Sequence, residues 1–213
     1  MNFNRIASFY GLIELLSTGS RMQRARVAHL SSVADARRVL IAGEGNGSFL
    51  AACARALPEA SFTVIDESPA MLQRAAASWK KAGGDEGRVR FVCENLLTWA
   101  PEEPGYDLIV THFFLDCFPE ETLRLITMKL ASAATSNSRW LITDFCEPEC
   151  GLARLRARVM LRGAYLLFRN LAGVQARQLV KPDAMLENVG FQLFSRVTSD
   201  WGMMHSDLWT RSS

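Results

Sequence analysis

The run Val39-Leu40-Ile41-Ala42-Gly43-Glu44-Gly45-Asn46-Gly47-Ser48-Phe49-Leu50 constrains the fold of this chain more than any other stretch. Val39 to Ala42 reads as a fully buried strand, the glycines at 43, 45 and 47 read as a tight turn, and Ser48 onward reads as a helix. Glycine suits such a turn because backbone angles barred to other residues cost it little, and because bare main chain lets a ligand come close. The spacing is Gly-x-Gly-x-Gly, not the Gly-x-Gly-x-x-Gly that brings a pyrophosphate onto a helix N-terminus. Glu44 inside the loop points the same way, since its charge repels a phosphate and suits a ligand carrying a cationic amine.

A second β-rich run, Phe62-Thr63-Val64-Ile65-Asp66, ends in a carboxylate placed where a ribose diol lies if the glycine loop holds the rest of a nucleoside. Ser68 and Pro69 then cap and open another helix. The combined pattern resembles the class I S-adenosylmethionine-dependent methyltransferases, whose first motif ends in acidic-x-Gly-x-Gly and whose second strand ends in an acidic residue. That resemblance implies an α/β, Rossmann-like fold: a mostly parallel seven-stranded sheet with an antiparallel last strand and helices on both faces. It also implies a cofactor, S-adenosyl-L-methionine. Gly43, Glu44, Gly45, Asn46 and Gly47 would hold its amino-acid portion, and Asp66 and Glu67, with Met71 nearby, its ribose. Asn95 and Leu96 would take the adenine, and Thr111 and His112 would lie at the end of the fourth strand. The family has an acidic residue where this chain has Asn95, whose amide oxygen can still accept from the adenine amino group; Asn95 as a plain turn residue is the other reading.

At 213 residues, 49% hydrophobic and 22% charged, the chain suits one globular domain spanning 1–213. A net charge of +2 is too small to make nucleic acid the default partner. The cysteines at 53, 93, 117, 146 and 150 are odd in number and scattered, which reads as buried thiols in a reducing compartment. The start of the chain lacks the apolar core of a secretory signal and no run is long enough to cross a bilayer, so a cytoplasmic location is expected.

Residues 1–32 read as a helical cap. Phe3, Ile6, Phe9, Tyr10, Ile13 and Leu16 recur at helical spacing, the segment from Ser17 to Ser20 breaks the pattern, and a basic helix follows from about Arg21 to Leu30. The stretch Arg5 to Tyr10 and the turn from Ser17 to Gly19 resemble the ubiquinone/menaquinone C-methyltransferase branch, where this opening helps form the substrate pocket. Gly11 stands where that branch has aspartate, and Tyr10 reads equally as a substrate contact or as core.

Further along, Arg88 to Cys93 reads as a third strand and Tyr106 to His112 as a fourth. The end of the fourth strand faces the ligand in open α/β sheets, so His112 and Asp116 are candidate catalytic residues and Phe113 and Phe114 candidate substrate contacts. Main-chain hydrogen bonding for His112, and core packing for the phenylalanines, remain open. A helix from Pro119 to about Ala133, a turn over 135–138 with Asn137 left-handed, and a strand from Arg139 to Phe145 follow.

Residues 149–172 read as a helical insert after the fifth strand. Arg154, Arg158, Arg162 and Arg169 form a basic stripe, and helix 152–169 could meet an anionic membrane, attract an acidic substrate or act as a lid with a solvated arginine face. Residues 181–191 read as a short helix ending in glycine. A last strand pair is expected around Asp200-Trp201-Gly202, with His205 structural.

The function so implied is methyl transfer to oxygen or carbon of a small, apolar or lipid-like acceptor, without nucleic acid and without metal, the oligomeric state being open. Asp116 and Asp144 could still supply oxygen ligands to a metal. A nicotinamide-dependent oxidoreductase lacks support from any Tyr-x-x-x-Lys pair. A catalytically silent subunit that keeps the fold for assembly is the non-enzyme alternative.

Overall fold

The computed structural model describes residues 19–101, 105–148, 150–159, 163 and 179–211. Their elements in chain order are α1 (Gly19–Arg26), β1 (Arg38–Ala42), α2 (Ser48–Ala56), β2 (Ser61–Asp66), α3 (Pro69–Lys81), β3 (Val89–Cys93), β4 (Tyr106–His112), α4 (Glu120–Ala133) and β5 (Ala134–Phe145). A helical turn sequence over 151–159, here α5, precedes α6 (Asp183–Asn188), β6 (Phe191–Ser199) and β7 (Met204–Arg211).

The strands form one sheet of seven in the order β3-β2-β1-β4-β5-β7-β6. Pairing is parallel from β3 through β5, whereas β7 runs antiparallel to both β5 and β6. This is the expected Rossmann-like arrangement, and it puts β1 beside β4 at the point where strand order reverses. Ligands of open α/β sheets sit in the crevice outside that point.

Side-chain alternation along the strands makes two cores. Leu40, Ala42, Ile109, Trp140, Ile142 and Trp209 pack under Leu123, Ile126 and Leu130 of α4 and Leu186 of α6. On the other face, Val39, Ile41, Val64, Leu108 and Val110 pack against Phe49, Leu50 and Cys53 of α2 and Leu72 and Trp79 of α3. Fully burying each such aliphatic side chain contributes about 1.5–3 kcal/mol, so the central strands anchor the sheet edge that carries the loops.

Several expectations are corrected. Gly19 and Ser20 begin α1 instead of breaking it, and the helix ends at Arg26 instead of Leu30. The cause is a switch to i→i−3 bonding, with Ala28 N donating to Ala25 O and Leu30 N to Val27 O, which tightens the chain into a 3-10 turn at Leu30–Val33. Residues 135–138 are no turn. They belong to β5, whose register against β4 jumps from Ala134 opposite Tyr106 to Arg139 opposite Leu108, and this irregularity absorbs the extra residues without a left-handed Asn137. The left-handed non-glycine residues among those described are Phe113, Asp200 and Trp201, the last two in the β6–β7 turn. Of the cysteines, Cys53 is buried, Cys117 and Cys146 are half-buried, and Cys93 and Cys150 are exposed.

Gly47 illustrates how tightly the loop is built into the fold. It takes φ +82°, and a Cβ there would lie 2.9 Å from Ala75 Cα and 2.9 Å from Ser78 Cβ on α3. Gly47→Ala should therefore destabilise the protein by about 2 kcal/mol through strain plus overpacking, measured as a lower urea midpoint at unchanged m-value.

Candidate active site

The glycine loop leaves β1 with Gly43 N still donating to Ile65 O of β2 at 3.0 Å, and Gly43, Gly45 and Gly47 have φ of 72°, 71° and 82°. Its two polar side chains turn inward onto α2. Glu44 Oε1 accepts from Phe49 N at 3.0 Å and Leu50 N at 2.9 Å, and Asn46 Oδ1 accepts from Ser48 N at 3.1 Å. Ala51 N donates to Gly47 O. The first-turn amides that would bind a pyrophosphate at a helix N-terminus are thus already engaged, which argues against a dinucleotide.

Burial pushes the Glu44 carboxyl up to about 7, against the amide of Leu50, the charge of Arg26 and the amide of Phe49, with the Asp66 charge adding to the rise. Its folded value lies above its ordinary 4.5, so the stability it contributes is complete below that pH and is lost as pH rises through about 7. His112 has the opposite sign, held well below 6.5 first by burial and then by Arg26, so its contribution is complete above 6.5 and lost below. Between pH 6.5 and about 8 only the carboxyl effect operates for this pair. Glu44→Gln should flatten the fall in unfolding free energy over that window by about 1 kcal/mol, measured by urea titration at both ends.

One strand away, Asp66 Oδ1 accepts from Ser68 N at 2.8 Å. Burial raises this carboxyl to about 6, opposed by the Ser68 amide and aided by the Glu67 charge. Glu67 Oε2 in turn accepts from Asn95 Nδ2 at 2.8 Å, tying the ends of β2 and β3 together. Asn95 Oδ1, the atom expected to face adenine, accepts from Leu97 N at 2.9 Å and shapes its own turn. Met71 and Leu96 are buried beside this edge.

The end of β4 divides the remaining candidates between the two faces of the sheet. Thr111 points into the α4 core, where its hydroxyl accepts from Trp140 Nε1 at 2.9 Å; its side chain is a packing group and does not face the loop. His112, on the opposite face, packs edge-on against Phe49 of α2 with ring centroids 4.4 Å apart. Both its ring nitrogens are buried without a hydrogen-bond partner among the described residues. Phe113 takes φ +52°, a costly conformation for a bulky residue, fixed by a 2.6 Å bond from its N to Thr143 O. Phe114 N donates to Asp144 Oδ1 at 3.1 Å, and its ring crowds the loop: a Cβ on Gly43 would be 2.3 Å from Phe114 Cδ2.

Asp116 belongs with a different group. It sits in the 3-10 turn Leu115–Cys117, buried near Asp144 and His205, which are paired across β5 and β7. Thr143 and Ser206, one position along, face α1 instead, through Ser206 Oγ donating to Ala25 O. Asp116 therefore lies with Asp144 and His205, on the face away from His112. Burial lifts Asp116 to about 6, and burial followed by the Asp116 charge lifts Asp144 well above the carboxylate range. Behind them, His205 Nδ1 lies 3.0 Å from Asp207 Oδ2, off the line of a good hydrogen bond, and Arg196 binds Asp207 through Nε at 2.8 Å and Nη2 at 2.7 Å. Burial would raise Asp207, but Arg196 and His205 outweigh it and hold the carboxyl low. No motif marks Asp207, Arg196 or Arg26; a charged residue inside an apolar strand, as at Asp144 and Asp207, is the signal the sequence carries. Among the described residues no group of three or more His, Cys, Asp or Glu could hold a metal ion.

Tyr10 lies outside the described residues, as do Arg162 and Arg169. Over 151–159, Arg154 and Arg158 both donate to Glu147 Oε1 at 2.6 Å and Arg156 pairs with Asp200, so these arginines do not form a free basic stripe. Leu152, Leu155 and Val159 are exposed alongside Arg154 and Arg158. No described helix is long and apolar enough to cross a membrane. A groove of about 410 Å³ lined by Leu97, Ala100, Pro101, Leu125, Met128, Lys129 and Ser132 lies between the β3–β4 connection and α4, away from the glycine loop.

Residues 39–137, from β1 to the irregular start of β5, match the family described as methyltransferase domain. Over that part the chain is similar to a methyltransferase domain. Within it fall the glycine loop, Asp66, Asn95, His112 and Asp116. A trans-aconitate 2-methyltransferase of Streptomyces avermitilis is 39% identical over 102 residues, covering 47% of this chain and 36% of that protein. A ribosomal RNA large subunit methyltransferase G of Shewanella amazonensis is 32% identical over 97 residues, covering 45% of this chain and 24% of that protein. The chain thus matches only about a third and a quarter of these relatives' lengths. The structure of the mitomycin 7-O-methyltransferase MmcR superposes with a TM-score of 0.74 at 19% identity, over 100% of this chain and 61% of that one, which establishes the methyltransferase fold. These likenesses do not single out the quinone C-methyltransferase branch.

Proposed function

We propose that the protein is an S-adenosylmethionine-dependent methyltransferase acting on oxygen or carbon of a small, apolar acceptor. The observation that carries this reading is the pairing of a phosphate-refusing glycine loop, its helix amides taken by Glu44 and Asn46, with a carboxylate at the end of the adjacent strand. That geometry suits a nucleoside joined to an amino acid, not to a pyrophosphate. Gly43 to Gly47 receive the amino-acid portion, Asp66 and Glu67 the ribose hydroxyls, and Asn95 and Leu96, beside Met71, the adenine. The bound donor supplies an electrophilic methyl on sulfonium.

The chain's own residues then position and deprotonate. Holding the acceptor in line with the methyl replaces a bimolecular encounter by a local one. Phe113 and Phe114 offer apolar surface at the end of β4, which favours an apolar acceptor. His112, at the end of β4 with both ring nitrogens unpartnered among the described residues, is the candidate to take a proton from an acceptor hydroxyl or acidic carbon, although burial and Arg26 oppose its protonation. The likeness of residues 5–10 and 17–19 to the quinone C-methyltransferases supports carbon as the atom methylated.

The test is incubation of the purified chain with methyl-deuterated donor and fractionated cell extract, read by mass spectrometry. A small molecule gaining one labelled methyl is the expected result. Label appearing only in RNA, or in nothing although the donor binds, would overturn the acceptor class or the activity respectively.

A further inference from the structure

The helix α5 is seated on the body by its small side chains. Ala157 is buried against Met203 of the β6–β7 turn, with Phe145 and Leu179 packed around them. Arg156 fixes the helix at that turn, Nη2 donating to Asp200 Oδ1 at 3.3 Å and Oδ2 at 3.4 Å, and its guanidinium carbon lies 5.9 Å from the centre of the Trp201 ring. The large apolar residues of the helix point the other way: Leu152 is 81% exposed, Leu155 61% and Val159 65%. At 3.6 residues per turn these three share an arc of about 60° on the side away from Ala153 and Ala157, with Arg154 and Arg158 along one flank and Arg156 along the other. Trp201, 72% exposed, stands beside Arg156.

An ordinary surface helix turns its apolar stripe inward, so three large apolar side chains on the outer side of this one mark a contact surface. Charge says what covers it. Residues 151–180 hold six arginines and none of the chain's 22 aspartates and glutamates. Even counted with Glu147 and Glu149 just before it, the stretch is strongly basic. Arginines on both flanks of an apolar stripe suit a helix lying in a bilayer surface, its apolar side chains among the acyl chains and its guanidinium groups at the phosphates. Tryptophan favours the same boundary. A second copy meeting this face about a two-fold axis would instead set arginine against arginine.

We propose that α5 and Trp201 lie on the surface of a bilayer containing anionic lipid. The helix rests along that surface and does not cross it. Such binding needs neither donor nor acceptor, so it stands or falls apart from the proposed activity.

The test is flotation of the purified chain with vesicles of phosphatidylcholine alone and of phosphatidylcholine mixed with phosphatidylglycerol, at low and high salt. Wild type should bind the anionic vesicles about tenfold or more tightly than the neutral ones at low salt, and the preference should shrink at high salt. Leu152→Ser/Leu155→Ser alters exposed side chains, so the melting temperature should hold while binding to anionic vesicles weakens about tenfold or more. Brominated lipid should quench tryptophan fluorescence in wild type and much less in Trp201→Phe, because Trp79, Trp99, Trp140 and Trp209 are buried. Absence of vesicle binding, binding indifferent to lipid charge, equal binding by the serine variant, or quenching unchanged in Trp201→Phe would each overturn the proposal. Self-association that the serine variant abolishes, without vesicle binding, would overturn it too and give the face to a second copy.

Discussion

Gly45→Arg is expected to give a folded protein that no longer takes up S-adenosylhomocysteine. Gly45 is buried in the loop with φ +71°, so a side chain there both meets left-handed backbone and fills the space a ligand must enter. The backbone penalty for an L-residue in that conformation is about 1–2 kcal/mol, well inside the stability of an ordinary domain. Circular dichroism should be unchanged and the melting temperature lowered only modestly, while calorimetry detects no heat of binding. A variant that melts normally yet titrates like wild type would mean that the donor does not lie on this loop.

Asp66→Ala should weaken S-adenosylhomocysteine by about a hundredfold, since two hydrogen bonds to a charged acceptor are lost at about 1.5–3 kcal/mol each, partly offset by water. Asp66 Oδ1 is held by Ser68 N, which fixes the carboxylate at the end of β2 and leaves Oδ2 for a diol. Burial raises this group to about 6, above its ordinary 3.8, so its ionised form costs the empty protein stability as pH rises through that value. The variant should therefore be no less stable than wild type near neutral pH while binding poorly. Unchanged affinity for S-adenosylhomocysteine, with loss of affinity for free homocysteine instead, would move the ribose away from β2.

The strands, their order of use and the ligand-facing edge were legible because the signals are local. A four-residue apolar run, a glycine turn and a carboxylate at a strand end are each specified within a few neighbours. The same locality explains the misses. Asn137 was assigned a left-handed role from its turn-like surroundings, but pairing of β5 with β4 drew residues 134–138 into the strand, and an irregular register needs no left-handed residue. Arg26 sits on a helix whose pattern is merely basic; its burial depends on how α1 lies over α2 and β4. His112 and Asp116 are both expected near the end of β4, and the 3-10 turn that contains Asp116 carries it toward Asp144 and His205.

The order of residues by itself determined that a strand runs through glycines into a helix with an acid one strand away, because backbone freedom and apolar periodicity belong to each residue and its neighbours. It determined the family of fold for the same reason. Only the tertiary structure decided what the charged groups face. Whether Glu44 caps a helix, whether Asp116 shares a site with Asp144 or with His112, and whether the arginines of 151–159 meet solvent or Glu147 are questions of distance between segments far apart in the chain. Electrostatic partnership depends on spatial separation and burial, which packing creates and sequence spacing does not encode.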